Sequence, residues 1–219
     1  MAEIKNVEKD KVLLIGMVGP TCSGKTTASD QVSQALGEHC QKLSQDNYYF
    51  GGSAQTNYDV LEALDFELAK QHLKRIKAGE TVEVPDYDFS SHSRKEETNT
   101  FTPTKAVVFE GILLFCDPDI VDLLDIKVYI QSNADHRKAR RIHRDTRERG
   151  REKNEVIERY ERDVEPSNRD LVEPSRRHAD IILIDNCDFT FQGMDKLITT
   201  IHKKIGFTPG QLELEGDFF

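Results

Sequence analysis

The stretch Gly19-Pro-Thr-Cys-Ser-Gly24-Lys25-Thr26-Thr27 constrains this chain more than any other. It matches the spacing G-x-x-x-x-G-K-[ST], in which each part has a physical job. The glycines let backbone N–H groups curl around phosphate oxygens, and the helix that follows points its positive dipole end at them. Lys25 has the reach for the β- and γ-phosphates, and the Thr26 hydroxyl is a magnesium ligand. The expected nucleotide contacts are therefore Gly19, Pro20, Thr21, Cys22, Ser23, Gly24, Lys25, Thr26 and Thr27. A chance match somewhere in the chain is on the order of one in a hundred from residue abundances. The plain alternative is an ordinary glycine-rich turn. Context speaks against that, because the motif joins the apolar run Val12–Gly16, read as a buried strand, to a helix predicted over Gly24–Leu36. Ala28, Val32, Ala35 and Leu36 share one face of that helix, and Gly37 caps it.

Further strands are predicted at Cys40–Ser44, Ala106–Phe109, Ile126–Ile130 and Ile181–Ile184. Near-continuous apolar runs of this length are buried on both faces, as in a parallel sheet covered by helices. A helix is expected from Val60 to Lys77, and a hairpin-like excursion from Thr81–Val84 and Thr98–Thr102. A very basic helix is expected over Ala134–Arg149, and a last one from about Gln192 to Ile205. No internal repeat or low-complexity tract is read. The fold class is thus α/β, a three-layer α/β/α arrangement around a mainly parallel five-stranded sheet with a small β-hairpin excursion and an Arg-rich helical lid. Residues 11–206 form one domain, with the hairpin insertion at about 80–104 and the lid at about 134–163. Residues 1–10 are a flexible leader and residues 207–219 a C-terminal tail.

A net charge of −9 disfavours bulk attraction to nucleic acid or an anionic membrane. No apolar run approaches the roughly 18 residues of a membrane span, and the first residues lack the apolar core of a signal peptide. The four cysteines lie far apart without metal-ligand spacing, which predicts neither disulfides nor zinc and makes the reducing cytoplasm the simplest location. Cys40, Cys116 and Cys187 are expected to be small buried hydrophobes.

Neither N-K-x-D nor D-x-x-G occurs, so the marks of a GTPase are missing. Glu110 follows the third strand at the sheet edge where open α/β sheets bind ligands, a candidate metal group or else a capping or charge-paired glutamate. Residues 135–151 hold eight Lys and Arg side chains with Asp135, Asp145 and Glu148 among them and nothing aromatic to stack on bases. This is either a nucleic-acid-binding or solvated helix, or a set of arginines that close over phosphate.

Over most of residues 12–184 the sequence resembles the uridine–cytidine kinase family. The residues that carry the likeness are GPTCSGKTT at the phosphate loop, LSQDNYY at Leu43–Tyr49, NYD at Asn57–Asp59, and PDYDFSSHSRKEET at Pro85–Thr98. VVFEGILLF at Val107–Phe115 and RRIHRDTRERGR at Arg140–Arg151 complete the set. The resemblance implies an ATP-dependent kinase that uses Mg2+, transfers the γ-phosphate to the 5′-hydroxyl of uridine or cytidine, and works as a cytoplasmic homotetramer without nucleic-acid or membrane partners. It implies catalytic roles for Asp46, as the base toward the hydroxyl, and for Lys25. Thr26 and Glu110 are its metal residues. Arg144, Arg149 and Asp188 join the loop on ATP; Asp59, Tyr87, His92, Arg141 and Arg151 meet the nucleoside. Residue chemistry leaves plainer roles open: Asp46 as a loop cap, Asp59 as a helix cap with Glu62 three residues on, and His92 as an exposed loop residue. Two other readings are a related kinase for another small alcohol, such as a sugar phosphate or pantothenate, and a nucleotide-binding regulatory or RNA-binding module.

The chain departs from the family pattern in three places. Val60-Leu61 follows Asp59 where the family commonly has His-Pro, and Arg159 replaces a glutamine that contacts substrate. Asp185-Asn186-Cys187-Asp188 keeps only the last residue of an Arg-Gly-x-Asp stretch beside adenine.

Overall fold

The computed structural model describes residues 11–53 and 55–206, so the predicted leader and tail lie outside the described residues. Five parallel strands, β1 (Leu13–Val18), β2 (Cys40–Ser44), β5 (Ala106–Gly111), β6 (Ile126–Gln131) and β7 (Ile181–Asp185), share one sheet in the order β2-β5-β1-β6-β7. The five predicted strands are these. A sixth, β8 (Phe191–Gln192), was not anticipated and pairs antiparallel with β7. A separate antiparallel hairpin is formed by β3 (Val82–Asp88) and β4 (Ser93–Phe101), each longer than its polar sequence suggests.

Alternation along β1 shows why both faces must be covered. Leu14 and Val18 enter one core with Leu43, Val107, Phe109 and Tyr129, beneath helices α2 (Phe66–Lys77) and α3 (Pro118–Leu123) and the base of the hairpin. Leu13, Ile15 and Met17 enter the other core with Val108 and Ile126, beneath α1 (Lys25–Leu36) and α8 (Met194–Lys204). Side chains of period two thus load both sides of one strand.

Two helices start later than expected by two residues or more. α2 begins at Phe66, six residues after Val60, because the Asp65 side chain accepts from Leu68 N at 3.0 Å and caps it. The residues before it form only a 3-10 turn at Leu61–Ala63, whose cap, Val60, makes no side-chain bond. Asp59 therefore caps no helix. The last helix begins at Met194, since Gln192 belongs to β8.

Beyond β6 come α4 (Ala134–Arg147) and α5 (Lys153–Arg159), then a helical run in which α6 (Glu165–Ser167) and α7 (Glu173–Ser175) each follow a π-helical stretch. Against the expectation of no repeat, Val-Glu-Pro-Ser occurs at 164–167 and again at 172–175. Pro166 and Pro174 lack an N–H and crowd the carbonyl four residues back. The helix widens there, and Glu165 and Glu173 donate to Tyr160 and Asn168, each five residues earlier.

Candidate active site

β1, β2, β5 and β7 deliver their C-terminal ends to one cavity of about 1020 Å³, which α4 after β6 also lines and which is roomy enough for a nucleotide and a second small molecule. β1 runs into the glycine-rich loop. Gly24 (φ +93°) turns it into α1, and a Cβ there would lie 2.9 Å from the Phe191 ring, so geometry and packing both demand glycine. α1 has neither a side-chain cap nor an acidic residue in its first turn, which leaves its N–H groups turned toward an anion.

Lys25 lies across the loop, its Nζ donating to the carbonyls of Gly19 and Pro20, each at 2.9 Å. Burial pulls its pKa down, against the charges of Glu110, Cys22 and Asp46. Thr26 donates through Oγ1 to Glu110 Oε2 at 3.2 Å, and burial raises the Glu110 carboxyl despite nearby Lys25. Of the loop residues, Thr21, Cys22, Gly24, Lys25, Thr26 and Thr27 line the cavity. Gly19 and Pro20 act through the carbonyls that hold Lys25, and Ser23 is buried behind the loop.

Asp46 sits in the 3-10 turn that follows β2. The turn is fixed by its neighbour Gln45, whose Oε1 accepts from Leu113 N at 3.0 Å across a close approach to Gly111, where a Cβ would clash at 2.1 Å. What caps this turn is Ser44, whose Oγ accepts from Asp46 N at 3.2 Å, so the Asp46 carboxylate is not spent on capping. Burial raises the Asp46 carboxyl above the ordinary range, while Lys25, Arg149 and Arg144 pull it back.

At the hairpin end, Asp59 lines the cavity beside Arg141. Burial raises its pKa, with Arg141 the largest opposing charge. Tyr87 and His92 are there as well. His92 is stacked on Tyr58 (centroids 5.7 Å, planes 13° apart), and Tyr49 meets Tyr87 at 5.4 Å. Burial, Arg151 and Arg159 all lower the His92 pKa, which favours the neutral ring. His92 is thus half-buried within an aromatic wall rather than a free loop residue.

The basic stripe is turned inward. Arg137, Arg141 and Asp145 form the buried face of α4, and Asp145 gathers Arg141 (3.5 Å), Arg144 (2.8 Å), Arg149 (3.7 Å) and Arg151 (3.6 Å) with its side chain only 1% exposed. Burial raises the Asp145 pKa, but the arginines outweigh it and hold the carboxyl below its usual range. Arg141 also donates to Thr21 Oγ1 at 3.0 Å, and the Arg149 guanidinium lies 4.5 Å from the Phe89 ring on the hairpin. Four arginines of this basic stretch thus converge on one buried carboxylate.

Asp145 is the residue that sequence reading missed. Its signal was an acid placed four residues after Arg141 and four before Arg149, on one helical face. Arg159 also enters the cavity, donating to Thr56 O at 3.2 Å.

Asp188 and Cys187 lie in the turn after β7. Asp188 does not line the cavity; its carboxylate closes a turn by accepting from Thr190 N (3.0 Å) and Thr190 Oγ1 (2.6 Å). Cys187 is not a buried hydrophobe, since it sits half-exposed in that turn at φ +71° beside His136.

Among the described residues no three His, Cys, Asp or Glu side chains gather as a metal site. Thr26 and Glu110 present oxygen donors side by side, which suits a hard cation that completes its shell with phosphate and water.

The model of the Phosphoribulokinase / Uridine kinase family matches residues 14–188. The uridine kinase of Clostridium tetani is 42% identical over 179 residues, which cover 78% of this chain and 86% of that protein. The uridine kinase of Halobacterium salinarum is 39% identical over 176 residues, 77% of this chain and 78% of the relative. In fold the chain resembles the solved phosphoribulokinase from Rhodobacter spheroides, with a TM-score of 0.60 at 16% identity, covering 80% of this chain and 71% of that one.

Proposed function

This chain belongs to the Phosphoribulokinase / Uridine kinase family, and from that we propose that it transfers the γ-phosphate of ATP to the 5′-hydroxyl of uridine or cytidine. The observation that carries the reading is the position of Asp46, in one cavity with the phosphate loop and with the aromatic wall around Tyr87 and His92. A carboxylate between a triphosphate site and an acceptor site is what in-line transfer to a hydroxyl needs.

In this reading Asp46 accepts the hydroxyl proton, its raised pKa making it a better base than an ordinary aspartate. Lys25, Arg144 and Arg149 neutralise charge on the transferred group. Asp59, Arg141 and Arg151 meet the ribose, and Tyr87 and His92 meet the pyrimidine. Neutral His92 presents either a donor or an acceptor, which suits both the 4-oxo group of uracil and the 4-amino group of cytosine. Thr26 and Glu110 would hold Mg2+, which supplies charge stabilisation on the phosphate oxygens. The enzyme works in the cytoplasm, as the four free cysteines suit, and as a homotetramer, which light scattering at assay concentration tests.

The test of the function is acceptor-dependent ADP release. Uridine and cytidine should release ADP, whereas sugar phosphates, pantothenate and no acceptor should not. ADP release indifferent to the acceptor, or greater with a sugar phosphate, overturns the reading.

The ribose contact is tested with deoxyuridine. Removing the 2′-hydroxyl leaves buried groups at Asp59 unpaired, and kcat/KM should fall by at least roughly 10². Equal efficiency for the two nucleosides removes Asp59 from this role.

The arginine cluster makes a further prediction. Asp145→Asn keeps the shape but removes the charge that holds four guanidinium groups together. We expect kcat/KM for ATP to fall by about tenfold or more, in line with the loss of one aligned electrostatic contact. Unchanged kinetics in a folded variant would mean that Asp145 does not place the arginines for catalysis.

A further inference from the structure

The helical run from Lys153 to Ser175 has no role in the chemistry above, yet it carries a spacing that a regular helix cannot use. Val156, Val164 and Val172 are buried at intervals of eight, and so are Arg159, Ser167 and Ser175. Eight residues of α-helix turn through about 800°, which leaves such side chains about 80° apart. The π-helical stretches at Tyr160–Val164 and Asn168–Val172 each take up one extra residue, which removes about 100° of that rotation. Residues eight apart then lie within about 20° of one another, on one face. Pro166 and Pro174 thus decide which side chains the run turns inward.

The first widened turn brings two side chains of this face onto one loop. Arg159 donates through Nη2 to Thr56 O at 3.2 Å, and Ser167 donates through Oγ to Asp59 O. The Asp59 N–H donates to Asn57 Oδ1 at 2.9 Å, so Ser167 holds the peptide on the far side of the same Cα. The 3-10 turn that follows starts from Val60, which makes no side-chain bond. The second copy of Val-Glu-Pro-Ser behaves differently. Ser175 donates to Val172 O at 2.7 Å and closes on its own helix. One tetrapeptide occurs twice, and only its first serine reaches the loop that carries Asp59.

We propose that Ser167 is a positioning residue for the acceptor, fixing the Asp59 backbone so that its carboxylate meets the ribose hydroxyls beside Arg141. This rests on the kinase reading above. Ser167 touches no reacting atom and acts through Asp59. Without its hydroxyl, the Asp59 carbonyl loses its donor and the loop is held on one side of that Cα only. The Asp59 carboxylate then pays part of its ribose contact to be ordered on binding. Asp46 stands in a separate turn held by Gln45 and Ser44, so the chemical step is left intact.

Ser167→Ala should raise the KM for uridine by about tenfold, in line with a lost hydrogen bond that leaves its acceptor unpaired. Its kcat and its KM for ATP should stay within about twofold of wild type, since the loss is one of acceptor binding. Deoxyuridine lacks one of the hydroxyls that Asp59 meets and should lose less, so the preference for uridine narrows. Ser167→Thr keeps the hydroxyl and should keep the wild-type KM, and Ser175→Ala should change neither KM. Hydrogen exchange supplies a readout without turnover: amides of residues 57–60 should exchange faster in Ser167→Ala and at the wild-type rate in Ser175→Ala. An unchanged KM for uridine in Ser167→Ala, a fall in kcat as large as the rise in KM, or the same change in Ser175→Ala overturns the proposal. Wild-type protein that released no ADP with uridine would sink the kinase reading instead, and the exchange rates would still decide whether Ser167 holds the loop.

Discussion

Replacing Asp46 with asparagine should lower kcat by roughly 10²–10⁴, the usual worth of a positioned general base, while the KM for uridine changes little. Asparagine keeps the size of the side chain and can still bond a hydroxyl, but it cannot take the proton. The turn that carries it is held by Gln45 and Ser44 and does not need the carboxylate, so the variant should fold. The pH profile gives a second readout. Burial raises the Asp46 pKa above the ordinary aspartate range. A base must be deprotonated to work, so wild-type kcat/KM should fall as pH drops through that raised value, above the range of an exposed aspartate. The asparagine variant should lose this acid limb. A variant within threefold of wild type, with the limb intact, would remove Asp46 from the chemistry.

Lys25→Ala should be still more damaging, with kcat/KM reduced by at least roughly 10³ and turnover abolished at ordinary enzyme concentrations. The ammonium is the one cation that both the loop carbonyls and the buried carboxylates Glu110 and Asp46 already surround. Without it, those two carboxylates face the phosphates with less opposing charge. Folding should survive, because a buried ammonium with a depressed pKa is costly to keep and its loss opens only a small polar space. Thermal denaturation checks that point and single-turnover ADP release checks the chemistry. Activity within tenfold of wild type would show that the arginines of α4 suffice on their own.

The phosphate loop, the five parallel strands and the motif residues that line the cavity could be read before any coordinates. Each signal is local: Gly24-Lys25-Thr26 declares a turn into a helix, and Val107–Phe109 declares a strand with no polar side. The start of α2 was misread for a related reason. Val60, Leu61 and Leu64 continue the apolar pattern of Leu68, Leu73 and Ile76, and periodicity cannot tell a 3-10 turn packed on the core from the first turn of a helix. Only the Asp65 cap decides it, and that decision freed Asp59 from the capping role that spacing had offered. Asp188 is a different case. Its place after β7 matched the family, and in the structure Thr190 two residues later offers its carboxylate both a backbone and a hydroxyl donor.

The amino-acid order by itself determined which backbone conformations were open and which residues had to be buried, and with them the layer architecture, the nucleotide loop and the family. Those properties depend on residues within a few positions of one another. The tertiary structure alone decided where charge would collect. Asp145 becomes the partner of four arginines, and Asp185 fixes Arg140, because α4, β7 and the phosphate loop meet at the end of the sheet. Desolvation in the cavity raises Asp46, Asp59 and Glu110 together and lowers Lys25. A low-dielectric neighbourhood is a property of everything around a side chain, and most of what surrounds these lies far away along the chain.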